Sequence, residues 1–418
     1  MALNLFKPGT PPGFGELAAI TAATMALNAF AIDMMLPALG LIGEELNLAN
    51  ANDRQLIIGL YIIANGIGQL FFGPLVDRFG RRQILIGAFV GYLAGSLLSI
   101  VASSFTLLIA ARIFQGISTA GARVAMFAIV RDNYAGRRMA KLVSLAITLF
   151  MAAPIIAPAI GQAVLLFAPW RGIFVALFLY GLVVLVWSMR RLPETLAPEK
   201  RRALNFSRAF AAYRQFFTDR CACGYTIASA LCFGALFGYI ASAEQIFFDV
   251  FKLGDQFSLA FAAVAGSLGV ATLTNAQLVE RFGMRYLTHG ALVGFVLINA
   301  AHLLLVMMVG SSWPTFIGFL SAAFFCIGLI GPNASALAME RMGHIAGSAA
   351  AANGFAGTTL AGLLGTLIGR QFDGTTVPII AGFAILGALS LLIVLWVEKG
   401  RLFQIGEATA KQGSRGNT

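Results

Sequence analysis

A succession of twelve apolar stretches, most of them roughly 20 residues or longer, is what most constrains this chain. Hydrocarbon offers no partner to backbone N–H and C=O groups, so a stretch that crosses it has to bond internally, as a helix. The stretches lie at 16–39, 54–74, 83–103, 106–130, 139–166, 170–190, 221–247, 256–279, 286–310, 313–337, 345–369 and 376–398. Charged residues make up 11% of the chain, against roughly 25% in a soluble protein, and cluster between the stretches. The fold class that follows is an all-α membrane protein with twelve transmembrane helices.

A repeat divides those helices into two sets. Leu75-Val-Asp-Arg-Phe-Gly-Arg-Arg82 returns as Leu278-Val-Glu-Arg-Phe-Gly-Met-Arg285, with six of eight positions identical and an offset of 203 residues in 418. A basic loop recurring once per half points to a duplicated six-helix unit, the usual build of secondary transporters. The expected organisation is an N-terminal half over 1–190, a cytoplasmic linker over 191–220, a C-terminal half over 221–398 and a cytoplasmic tail over 399–418. The linker is expected to be partly helical along the membrane surface.

Basic residues orient the chain. Of 29 Lys and Arg, 23 fall on one set of loops: Lys7, the Arg78/Arg81/Arg82 cluster, four from Arg131 to Lys141, eight from Arg190 to Arg220 and seven from Arg281 to Arg415. The opposite loops hold Arg54, Arg171, Lys252 and Arg370, and Arg112 and Arg123 lie within span 4. The positive-inside rule then places both termini and the linker in the cytoplasm. The first apolar run has no small-residue cleavage pattern and reads as helix 1, not as a cleavable signal. The net charge of +11 follows loop sidedness, and no soluble domain presents a basic face to nucleic acid. The four cysteines lie in or beside apolar segments without ligand spacing, so no metal or other cofactor is expected. There is no Walker loop and no H-E-x-x-H, and no nucleophile–base pair can be argued, so the chain is not expected to be an enzyme.

Ionisable and polar residues inside the spans are the candidate chemistry. Asp33 lies near the outer end of span 1, and Arg112 lies at similar depth in span 4. Burial disfavours charge on such a carboxyl and a neighbouring arginine favours it, and a group balanced that way can exchange a proton. Asp33 is the first choice for proton coupling; the other readings are a carboxylate reaching interfacial water and a structural ion pair. Arg123 sits three turns beyond Arg112 on the same face, about 16 Å deeper, and either lines a central cavity or snorkels to the cytoplasmic interface. Tyr61, Asn65 and Gln69 form an i, i+4, i+8 stripe on span 2, suited to a cavity wall or to interhelical hydrogen bonds. Glu244 is either interfacial or a second acidic cavity group. The 35 Phe and 13 Met can serve lipid packing or an adaptable apolar pocket. Spans 5 and 11 carry many small residues, which let helices approach and slide.

These residues carry a resemblance. Gly73-Pro-Leu-Val-Asp77-Arg78-Phe-Gly80-Arg81-Arg82 resembles the loop signature of the major facilitator superfamily between helices 2 and 3. Asp33 with Leu36-Pro37 resembles its drug-exporter helix 1 motif, and Arg112-Ile-Phe-Gln115-Gly116 its helix 4 motif, whose arginine is implicated in proton transfer. Pro154, Pro158 and Gly161 resemble the helix 5 antiporter motif, although Ala157 and Gln162 replace its usual glycines. Arg131-Asp132, Gly331-Pro-Asn-Ala-Ser-Ala-Leu and His344-Ile-Ala-Gly-Ser348 are similar to the Bcr/CflA multidrug group of drug:proton antiporters. The resemblance implies proton-driven export of drug-like molecules by alternating access across the bacterial inner membrane. It implies proton coupling by Asp33 and Arg112. From the spans themselves, Tyr61, Asn65, Gln69, Gln115, Arg123 and Glu244 are expected about the substrate; Arg123 and Glu244 are atypical for the subgroup and could tune specificity toward anionic or cationic substrates. The resemblance also implies a cytoplasmic gate of Gly73, Asp77, Arg78, Gly80, Arg81 and Arg131, in which Asp77 meets the start of span 11 and pairs with Arg131. The alternatives are a metabolite exporter or proton symporter of the same fold and, from another class, a membrane receptor or enzyme. The partners expected are a small molecule, protons and the bilayer, with the chain acting as a monomer.

Overall fold

Apolar side chains on every face make most of these stretches helices with little amphipathic bias, as buried or lipid-facing helices should be. The computed structural model of the protein describes residues 12–201 and 206–403. Lys7, Arg202, Lys411, Arg415 and the expected tail beyond residue 403 lie outside them. Among the described residues the chain has no strand, and twelve segments are long and apolar enough to cross a membrane.

The helices are α1 (Phe14–Asp33), α2 (Leu39–Glu45), α3 (Leu56–Phe79), α4 (Arg81–Ile100), α5 (Phe105–Asn133), α6 (Gly136–Phe150), α7 (Ala152–Leu165) and α8 (Arg171–Arg191). They continue with α9 (Phe206–Thr218), α10 (Arg220–Glu244), α11 (Phe257–Phe282), α12 (Met284–Val309), α13 (Trp313–Met339), α14 (Ala346–Gly369) and α15 (Val377–Val397). Two compact units emerge from their packing. One gathers Met1–Phe210 with Ile240–Gln245 and Leu253–Leu259, and the other gathers Ala211–Tyr239, Ile246–Lys252 and Ala260–Thr418. In the first unit α5 packs between α3 and α4 and also touches α1. In the second, Phe216 of α9 is buried with Ala222, Met342, Ala349 and Ala352, which fixes the end of α9 to that unit.

Prolines and glycines set the departures from the expected spans. Span 1 does not stop near residue 39: the chain stays helical to Glu45, with a break at Met34–Met35. Pro37 causes the break, because it lacks an N–H for the carbonyl of Asp33 and its ring crowds that carbonyl. Span 5 is likewise two helices, parted at Met151, where Pro154 leaves the carbonyl of Phe150 without its partner. Span 2 runs to Phe79 with Pro74 inside it, so the repeated segment is mostly the end of a helix and not a loop. The reversal into α4 takes the single residue Gly80, at φ +104°, a conformation that costs a glycine little. Gly283 does the same in the second copy at φ +81°.

Gly161 marks the tightest approach at the first break. A Cβ added there would lie 2.0 Å from the carbonyl oxygen of Met34 and 3.1 Å from Pro37. Gly161→Ala therefore forces backbone apart and is expected to destabilise the first unit by about 1–3 kcal/mol. Gly87→Ala, where nothing lies within 4 Å of the added carbon, should leave stability unchanged or slightly raised. Thermal unfolding of the two purified variants in detergent checks the difference.

Candidate functional site

The break in span 1 exposes the last carbonyls of α1, which have no intrahelical N–H to meet. Arg112 of α5 reaches one of them: its Nη2 donates to the Ala31 carbonyl at 2.7 Å. Nε donates to the Ile57 carbonyl of α3 at 3.3 Å, and Nη1 donates to Gln115 Oε1. The guanidinium also lies 4.3 Å from the centre of the Tyr61 ring. A fully buried arginine with no carboxylate partner is thus held by carbonyls, an amide oxygen and a ring face. It is a cation at the negative end of α1, where the helix dipole favours one.

Asp33, the last residue of α1, is 4% exposed, and its Oδ1 has no hydrogen-bond partner among the described residues. The acid and Arg112 do not form an ion pair: the arginine is bound two residues upstream, at Ala31. The two groups are therefore joined through the backbone of one helix end.

Below them lies a knot of polar side chains. Tyr61 Oη donates to Asn28 Oδ1 at 3.0 Å and lies 2.9 Å from Thr119 Oγ1. Asn65 Nδ2 donates to Thr119 Oγ1 at 3.0 Å and to the Gly116 carbonyl at 3.2 Å. Gln69 Nε2 donates to Asn65 Oδ1 at 3.3 Å, and Gln115 Nε2 donates to Ser96 Oγ at 2.8 Å. Four of the five side chains expected about the substrate on these two helices, Tyr61, Asn65, Gln69 and Gln115, are buried. Their polar atoms are spent on one another, so the span 2 stripe joins α3 to α5 and α1 and does not line an open wall. Arg123 differs: its side chain is exposed. Glu244 is a paired acid at the end of α10. It is buried and lies 3.3 Å from Arg54 within the first unit. Beside it Gln55 Nε2 donates to Gln245 Oε1 at 2.5 Å, and Gln245 Nε2 donates to Asn52 Oδ1 at 2.8 Å.

At the other end of α3, Arg81 is the centre of the residues expected to form a gate. It is buried, with Nη2 3.0 Å from Asp77, Nε donating to Asp132 at 2.9 Å and Nη1 donating to the Val76 carbonyl at 3.1 Å. The expected pairing of Asp77 with Arg131 is not formed: Asp77 and Arg81 are four residues apart, brought together across the turn at Gly80, and meet first. Arg78 and Arg131 are exposed. Gly73 lies within α3, ahead of Pro74.

Sequence reasoning missed three participants. Glu194, just past α8, accepts from the backbone N–H of Arg81 at 2.9 Å and of Arg82 at 3.2 Å, capping the start of α4. Thr195 donates to Asp132 at 2.8 Å, and Arg82 donates to the carbonyls of Leu192 and Met189. The signal was available in the repeat, because Glu398 follows the sixth helix of the second half, 204 residues on from Glu194. There Arg285 lies 3.2 Å from Glu398 and 2.8 Å from Glu340. Gln162, which stands in place of a motif glycine, is the third: its Nε2 donates to the Gly254 carbonyl at 2.9 Å, and Ser258 donates to its Oε1.

A family model described as Major Facilitator Superfamily matches residues 21–366. The chain is 30% identical to an uncharacterized MFS-type transporter, YdgK, of Bacillus subtilis, over 89% of this chain and 93% of that protein. It is 28% identical to a bicyclomycin resistance protein homolog of Haemophilus influenzae, over 90% and 94% of the two chains. It is also 28% identical to a chloramphenicol resistance protein of Pseudomonas aeruginosa, over 82% and 81%. Among solved structures, the human organic anion transporter MFSD10 (TETRAN) aligns with a TM-score of 0.65 over 92% of this chain and 100% of that one. At 16% identity this is a likeness of fold.

The cap by Glu194 gives a direct test. Glu194→Ala removes the acceptor for three backbone N–H groups, those of Arg81, Arg82 and Leu196, and should lower stability by about 0.5–2 kcal/mol. Glu199→Ala, at an exposed site five residues on, should have no effect. Thermal unfolding midpoints of the two variants in detergent are the readout.

Proposed function

The chain belongs to the Major Facilitator Superfamily, a family of membrane transporters and not of enzymes, and we propose that it exports drug-like small molecules in exchange for protons. Export would run across the bacterial inner membrane by alternating access between two six-helix halves. The bicyclomycin and chloramphenicol resistance relatives support a drug-like substrate. Basic loop residues support a chain with both termini in the cytoplasm. Two halves that complete one transport path need no partner chain, so the working unit is a monomer.

The observation that carries proton coupling is Asp33. It is a buried carboxyl with an unpartnered oxygen, at the end of a helix that Pro37 breaks and Arg112 caps. An unpartnered carboxyl oxygen is a place for a proton. When the helix end opens to water, the carboxylate and the nearby guanidinium can both be solvated and the proton leaves. Arg112 acts as a positioning residue, since it holds the helix end and not the carboxyl itself. The cluster of Arg81, Asp77, Asp132 and Glu194 serves as the latch of the cytoplasmic side, with Gly80 as its turn. Gly161, with Pro154 and Pro158 on the same helix beyond the span 5 break, keeps α7 seated on the proton site.

Everted membrane vesicles test the proposal. Addition of a transported drug should release protons from the acidified lumen, and Asp33→Asn should abolish that release while the protein is still made and inserted. Unchanged proton release in Asp33→Asn would remove Asp33 from the mechanism. The absence of any drug-dependent proton flux across a broad drug panel would favour a metabolite carrier of the same fold.

A further inference from the structure

Arg123 is the one exposed residue of α5 between Gln115 and Val130; the others in that stretch are buried or half-buried. Its direction follows from helical geometry. Leu107 and Phe114 mark the exposed apolar side of α5. Arg123 is nine residues beyond Phe114, about 900° of rotation, which puts it on the opposite side. It continues instead the polar row of Arg112 and Thr119, three turns and one turn earlier. The opening at Arg123 is therefore on the polar side of the helix, away from the apolar face. Phe127, one turn further on, is half-buried and adds apolar surface on the same side of the helix.

The first two members of that row are satisfied by partners within the first unit. Arg123 has no ion pair and no hydrogen bond among the described residues. Of the acids within the spanning segments of that unit, Glu16 pairs with Arg191, Glu45 with Arg171, Glu244 with Arg54, and Asp77 and Asp132 with Arg81; Asp33 is buried, and Glu44 and Asp53 sit beyond the break in span 1 and ahead of α3. The accessible charge on the polar side of α5 is thus positive and has no paired acid among the described residues. A guanidinium in apolar surroundings is stabilised most by an anion that its planar fork can grip, such as a carboxylate, sulfonate or phosphate.

We infer that Arg123 is a specificity-determining residue that selects amphipathic organic anions, with the acidic group on the guanidinium and the apolar body along Phe127. The assignment rests on the reading that the chain moves small molecules, and it names their class. Lysine at this position would keep the charge without the fork, and glutamate would reverse the preference.

The test uses the full chain in nanodiscs and two fluorescent probes with the same pyrene-butyl body, one ending in a carboxylate and the other in a trimethylammonium group. Fluorescence anisotropy is read against empty nanodiscs. The wild-type protein should bind the carboxylate probe at least about tenfold more tightly than the ammonium probe. Arg123→Ala should weaken carboxylate binding by about 10–100-fold and leave ammonium binding unchanged. Arg123→Lys should fall between them, and Arg123→Glu should favour the ammonium probe. Equal affinity for the two probes in the wild-type protein, or unchanged carboxylate binding in Arg123→Ala, overturns the assignment. The latter is the result for an arginine that only reaches toward interfacial water. Proton-coupled export of cationic drugs without an anion preference would sink this assignment and leave the export reading standing. An anion preference without drug-driven proton flux would do the reverse.

Discussion

Inside a bilayer every backbone N–H and C=O has to find its partner within the protein, and the first unit is arranged around the place where that is hardest to do. Pro37 interrupts span 1 and strands the carbonyls at the end of α1. The buried guanidinium of Arg112 answers that need from α5. A charge that looks too costly for the interior becomes intelligible once it is seen as a helix cap. Asp33 inherits its setting from the same break, since a carboxyl placed mid-helix would face packed side chains and not a frayed helix end.

The legible part of the fold was the part written in composition and period. Apolar length marked the twelve spans, because the bilayer imposes a length on any chain that crosses it. Pro37 and Pro154 were visible too, yet their outcome was not: each breaks a helix within a span that still crosses as one segment. Asp33 and Arg112 could be picked out as intramembrane charges, but their relation could not. The distance between them is set by Ala31, whose carbonyl carries no signature in sequence. The Tyr61–Asn65–Gln69 stripe shows the same limit from the other side. Its spacing says that three polar groups share a face, and only the partner residues Asn28, Gly116 and Thr119 say that the face is closed.

The repeated segment is anchored differently in its two copies. In the first, Glu194 binds backbone N–H groups at the start of α4, and Arg81 is left to join Asp77 and Asp132. In the second, Met284 replaces that arginine, and Glu398 binds the side chain of Arg285. The sequence identity between the copies therefore understates their divergence. An acid after the sixth helix holds the segment in both, but one copy uses it as a helix cap and the other as an ion pair.

Gly161 leaves no clearance above the Met34 carbonyl, and this contact works like a key in a slot. The glycine of α7 is seated against the same broken turn that ends in Asp33. Any displacement of α7 along span 1 has to carry the turn with it or lift off it altogether. Force applied to span 5 is thereby delivered to the carboxyl as a shift of its own backbone, with no intervening side chain to absorb it.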